Sequence, residues 1–108
     1  MKKAEYYINV VLKSEQKEYP KVNGYVEEVE DSNGNKITVG YHKEENLWSA
    51  TELSTVFRCS KSFYNTRREC VEEVHENIDA LIEYCNAVML CDYGEKYVKP
   101  FREFVSKK

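Results

Sequence analysis

The stretch Asn65–Cys85, NTRRECVEEVHENIDALIEYC, carries a helix start and a helical stripe in one run. Thr66 followed by Glu69 has the capping-box spacing, in which a hydroxyl and a carboxylate each satisfy a backbone N–H that the first helical turn leaves unpaired. Beyond it Val71, Val74, Ile78, Leu81, Ile82, Cys85, Val88 and Met89 recur at three- and four-residue steps, which predicts one stripe of one long helix. Glu72, Glu73, Glu76, Asp79 and Glu83 fall largely off that stripe and are expected in solvent. Such a stripe needs an apolar layer to lie against, and the residues before it supply a sheet.

Working back from the helix, VFRCSKSFY (Val56–Tyr64) and LWSATEL (Leu47–Leu53) read as strands, with KEEN as the turn before them. Lys36–Lys43 alternates cleanly, with Ile37, Val39 and Tyr41 on one face and Lys36, Thr38, Gly40 and His42 on the other. The Asn33-Gly34 pair within DSNGN predicts a hairpin between this strand and the one before it. AEYYINVVLK (Ala4–Lys13) is a further strand, ended by the polar run SEQKEYPKVNG. A shorter helix is expected from Glu95 to Ser106, offering Tyr97, Phe101, Phe104 and Val105 for packing, with Pro100 in its first turn. The expectation is a single α+β domain over residues 1–108: an antiparallel sheet of three to five strands, one long helix packed across it and a short C-terminal helix.

Of the 108 residues, 42% are hydrophobic and 32% charged, with four Gly and two Pro, which excludes collagen-like and low-complexity classes. Acidic residues outnumber basic ones 19 to 16, for a net charge of -3, so non-specific attraction to a polyphosphate is not the default. No signal-peptide pattern and no apolar run of membrane-spanning length is present. Cys59, Cys70, Cys85 and Cys91 form no C-x-x-C pair and are expected as reduced, half-buried thiols in a cytoplasmic protein.

The strands followed by TRRECVEEVHENIDALIEYC resemble the HicB-like antitoxin domain over roughly Ile37 to Cys85, at Thr66, Glu69, Val71, Val74, Glu76, Ile78, Ile82 and Glu83. The chain departs from that family in having FYNT and ELST where a Gly and a Pro-containing loop are usual, and in lacking an operator-binding pattern in its tail. The same region is similar to small phage and prophage proteins carrying W-x-x-T-x-x-x-T and then T-R-x-E, here Trp48 to Thr55 and Thr66 to Glu69. Some proteins of that type inhibit host defence systems, CRISPR effectors included. A third resemblance is to the arm-type DNA-binding domain of phage integrases, a three-stranded sheet backed by a helix and usually basic.

These resemblances imply a non-catalytic protein that binds and inhibits a nucleic-acid-handling partner, as an anti-defence inhibitor or an antitoxin-like neutraliser. Glu27, Glu28, Glu30 and Asp31 beside one turn, with Glu44 and Glu45 at the next, are the expected partner surface toward a basic groove; protection of a sheet edge is the alternative. Trp48, the lone tryptophan, reads either as core or as an interface anchor. Arg58, Lys61, Arg67 and Arg68 form an alternative basic edge for an anionic ligand, which corresponds to a second reading as a nucleic-acid-binding accessory domain. Catalytic motifs are absent, and Glu72-x-x-His75 lacks the second helix that a di-metal bundle site needs, so His75 and likewise His42 are expected at the surface. No catalytic residue, metal or cofactor is expected. A small enzyme built on a Cys or His is the third reading, and a homodimer is compatible with any of them.

Overall fold

The computed structural model describes residues 1–87. Its elements in chain order are β1 (Lys2–Tyr7), β2 (Val10–Val11), β3 (Lys17–Glu18), β4 (Lys21–Glu30), β5 (Lys36–Glu44), β6 (Leu47–Glu52), β7 (Phe57–Arg58), α1 (Arg67–Glu76) and α2 (Ile78–Ala87). Strands β1, β4, β5, β6 and β7 form one antiparallel sheet in that order, and β2 pairs with β3 in a separate hairpin. The α+β class and the antiparallel sheet are as expected. The helix expected at Glu95–Ser106, the stripe positions Val88 and Met89, and Cys91 lie outside the described residues.

Both central hairpins follow from local turn chemistry. At the β4–β5 turn Asp31 Oδ1 accepts from the N–H of Asn33 at 2.9 Å and of Asn35 at 2.8 Å, and Gly34 supplies the left-handed residue at φ 82°. The β5–β6 turn is two residues long, with Glu45 at φ 51° and Asn46 at φ 68°, the positive pair that matches the twist of the flanking strands.

Cross-strand partners share a face, so the register divides the sheet. Tyr25, Glu27 and Val29 on β4, Val39 and Tyr41 on β5, and Trp48 and Ala50 on β6 point to the side that carries the helices. The main core there is Val29, Ile37, Val39, Tyr41, Ala50, Cys59, Cys70, Val74, Ile82 and Cys85. Each large aliphatic side chain buried in it contributes about 1.5–3 kcal/mol. On the opposite face Tyr6 is fully buried and lies over Gly24 and Gly40, where any added Cβ would collide with its ring. Tyr6, Ile8 and Leu53 form a second, smaller core, with Val10, Val22 and Val26 packed against it.

Three expected elements are corrected. The long helix is two helices of ten residues each, divided at Asn77, whose backbone sits at φ -109°, ψ 17°. The Asn77 amide Nδ2 donates to the Glu73 carbonyl at 2.8 Å, while its N–H is shared between the carbonyls of Glu73 and Val74 at 3.2 and 3.3 Å. An Asn side chain bonding its own preceding turn competes with the helical ladder and ends it there. Asp79, in the first turn of α2 and exposed as expected, then accepts from the N–H and hydroxyl of Ser32, tying that helix to the β4–β5 turn.

The single strand expected over Ala4–Lys13 divides at Ile8–Asn9: β1 stays in the main sheet, and β2 turns back to pair with β3. That turn brings Ile8 and Val10 into the second core. Part of the polar run expected to end the strand, Lys21–Gly24, instead opens β4. The strand expected over Val56–Tyr64 is paired only at Phe57–Arg58 and returns as a bridge between Tyr64 and Trp48. The cause is Glu52, which is 1% exposed and whose carboxylate accepts from the N–H and hydroxyl of both Ser54 and Thr55. These bonds wind residues 52–56 into a tight turn and hold Val56 at φ 56°, a conformation that a β-branched residue rarely takes.

Candidate functional site

The six carboxylates expected to form one surface are separated. Glu27 lies on the helix-bearing face, where it accepts from the Tyr41 hydroxyl at 2.6 Å and faces His75 Nε2 at 3.1 Å. Asp31 is taken up by its turn. Glu28 and Glu30 are exposed on the opposite face, paired across to Thr38 and Lys36. Glu44 and Glu45 are exposed at the far end of β5, roughly 27 Å away at about 3.4 Å per strand residue.

The expected basic edge is divided as well. Arg58 points to the face opposite the helices and lies 4.6 Å over the Phe63 ring. Arg68 is exposed and pairs with Glu72 at 3.2 Å, an arrangement of little energetic weight. Lys61 is exposed, and its backbone N–H donates to Glu73 Oε1. Arg67 alone is half-buried, with its guanidinium 4.1 Å from the centroid of Tyr25 and 5.9 Å from that of Trp48.

Of the two roles expected for Trp48, the core one is the one its packing supports. Trp48 packs against the main core, and its ring stands 6.3 Å from Tyr25, at the margin where α1 stops covering the sheet. Beyond that margin no described residue covers the helix-bearing face along β1 and β4. Lys3, Glu5 and Tyr7 of β1 stand opposite Tyr25, Asn23 and Lys21 of β4, and Lys43 stands opposite Trp48. Lys21 lies 5.3 Å over the Tyr7 ring, and a groove lined by Lys3, Glu5, Asn23 and Tyr25 continues the patch. Among the described residues, Lys3, Lys21, Lys43 and Arg67 therefore share this area with Tyr7, Tyr25 and Trp48, and Glu5 is the exposed carboxylate set among them, while the nearby Glu27 is engaged by Tyr41 and His75. Sequence reading missed Tyr25 and the three lysines. The alternation Lys3, Glu5, Tyr7 was visible, but not the strand it would pair with.

Of the two histidines expected at the surface, His75 is there and His42 is not. His75 is half exposed and engages Glu27, which ties α1 to the sheet. His42 is 5% exposed, and burial lowers its pKa below 6.5, against a weaker upward pull from Glu44 Oε2 at 3.6 Å. Tyr41 is fully buried, and burial together with its bond to Glu27 raises its pKa strongly. Cys59, Cys70 and Cys85 are free thiols and more deeply buried than expected; burial pushes Cys70 up to about 11 and raises the other two further. Thiols held protonated in this way make poor nucleophiles at neutral pH. Among the described residues no group of three or more His, Cys, Asp or Glu side chains is placed to hold a metal ion, and no helix is long and apolar enough to cross a membrane.

No protein-family model, curated protein or solved structure matches the chain.

Proposed function

We propose that this is a non-catalytic cytoplasmic binding protein that engages single-stranded nucleic acid through the part of its helix-bearing face that no described residue covers. The observation that carries this reading is the stack of Arg67 over Tyr25 beside Trp48, with Lys3, Lys21 and Lys43 on the same face. Cations at that spacing neutralise phosphates, while a guanidinium plane and aromatic rings offer bases a stacking surface that tolerates any sequence. The net charge of -3 does not oppose this, because carboxylates such as Glu28, Glu30 and Glu44 lie on the opposite face or at a remote turn. Fluorescence anisotropy with labelled oligothymidine and oligouridine tests the reading. Four neutralised phosphates correspond to a slope of log K against log salt of about -3. Arg67→Ala and Trp48→Ala should each weaken binding while the fold persists. Absence of binding at low salt, or binding that both variants retain, refutes it.

A second reading keeps the same non-catalytic class but takes a protein partner: inhibition of a nucleic-acid-handling enzyme, in the manner of an antitoxin or of a phage-encoded anti-defence protein such as an anti-CRISPR. It is favoured by Glu28, Glu30, Glu44 and Glu45, which remain exposed. Under it, reversing Glu28 and Glu30 to Lys abolishes inhibition and slows association in a salt-dependent way, whereas Arg67→Ala does little.

A further inference from the structure

Glu5 is an exposed carboxylate in the middle of β1, between Lys3 and Tyr7 on the same side of the strand. It stands directly opposite Asn23 of β4, which is exposed as well. Opposed residues of antiparallel strands hold their Cβ atoms roughly 4.5–5.5 Å apart, so the carboxylate and the amide lie side by side. Both line one groove of about 590 Å³, whose wall includes Lys3 and Tyr25. The Tyr25 ring carries the Arg67 guanidinium at 4.1 Å, so the groove abuts the cationic and aromatic stack.

A carboxylate at this place weakens the attraction of the patch for phosphate, so what it adds to nucleic-acid binding has to come through a base. In a single strand the Watson–Crick edges of the bases are available to side chains. An ionised carboxylate only accepts hydrogen bonds, whereas an Asn amide can donate. Guanine presents two neighbouring donors, N1–H and N2–H, followed by the acceptor O6. The two donors suit the two oxygens of Glu5, and O6 suits the Asn23 Nδ2. Adenine, cytosine, thymine and uracil each match the pair with one donor and one acceptor only. A carboxylate has about four acceptor positions, so a lysine of the same face and a base can share it.

We propose that Glu5 and Asn23 form a guanine-reading site within the groove, with the base edge held by the two side chains and the Tyr25 ring beside it. The site rests on the single-strand binding proposed above and adds a base preference at one position to a surface otherwise tolerant of sequence.

Fluorescence anisotropy of the full chain with labelled oligothymidine, its central base replaced in turn by guanine, adenine, cytosine or hypoxanthine, tests the proposal at fixed salt. The guanine strand should bind about 10-fold tighter than the all-thymine strand, the effect of one additional charge-assisted hydrogen bond. Hypoxanthine, which lacks the N2 amine, should lose most of that gain. Glu5→Gln should erase the preference for guanine while tightening binding of the all-thymine strand, because a negative charge leaves the phosphate path. Asn23→Ala should reduce the preference by removing the donor to O6. Equal binding of all the strands, a hypoxanthine strand bound as tightly as the guanine strand, or a guanine preference that survives in folded Glu5→Gln protein overturns the guanine site and leaves single-strand binding standing. Should Glu5→Gln fail to fold, an undiminished preference in Asn23→Ala overturns it equally. Absence of binding to every strand at low salt overturns the site together with the function it rests on.

Discussion

The Glu27 carboxylate lies 2.6 Å from the Tyr41 hydroxyl and 3.1 Å from His75 Nε2, joining β4, β5 and α1 at one point. Tyr41 is fully buried, so removing its acceptor strands a hydroxyl away from water. Glu27→Ala is expected to cost about 1–3 kcal/mol, and Glu27→Gln, which keeps an oxygen acceptor, less. Urea denaturation measures both; a Glu27→Ala protein as stable as the wild type would show that Glu27 is surface after all.

Glu52 should be the most sensitive carboxylate in the described chain. Its four bonds to Ser54 and Thr55 satisfy a buried charge and maintain the turn that holds Val56 at φ 56°. Glu52→Ala is expected to destabilise by roughly 3 kcal/mol or more, since it leaves buried donors unpaired and the strained turn unsupported. Val56→Gly is expected to cost less than Val56→Ala, since both remove a side chain that is 1% exposed and only glycine relieves the strained backbone. Thermal unfolding of the three variants gives the comparison.

The divided helix moves the centre of the apolar stripe. Val74 is 0% and Ile82 2% exposed, whereas Ile78 and Leu81 are only partly buried. Ile82→Ala should therefore cost about 2–5 kcal/mol and Ile78→Ala distinctly less. Equal losses at the two sites, read from denaturant midpoints, would argue for one continuous helix.

At the start of α1, Thr66 Oγ1 accepts the Glu69 N–H at 3.2 Å. Thr66→Ala is expected to cost on the order of 1 kcal/mol, and Thr66→Asn to retain most of that stability. Chemical denaturation of the pair checks the cap, and a Thr66→Ala protein with an unchanged midpoint would refute it.

Stability should fall on mild acidification because of His42. Its folded pKa lies below the ordinary 6.5, so the unfolded chain takes up the proton first. Its effect is absent above 6.5 and grows as pH falls from there toward the folded value, at up to about 1.4 kcal/mol per pH unit. His42→Leu should flatten this part of the profile. Urea midpoints between about pH 8 and pH 5 decide, and a profile identical in wild type and variant would show that His42 protonates freely in the fold.

Sequence reading succeeded where the interactions that set structure are local. The Asp31–Asn35 turn, the alternation of Lys36–Lys43 and the Thr66 cap rest on neighbours within four residues and are found as expected, although the Glu69 carboxylate accepts from the Thr66 hydroxyl instead of a backbone N–H. Asn77 is a local signal too, but the apolar stripe runs through it, and only the observed bond to the Glu73 carbonyl shows that the side chain ended one helix and began another. The tertiary structure alone decided the rest. It paired β1 with β4, set Glu27 against His75 at 48 positions' separation, folded residues 8–11 over His42, and laid Arg67 on Tyr25. Residue types along a chain specify which face of a strand a side chain occupies, but what covers that face depends on long-range register, and register is set by the simultaneous burial of both cores.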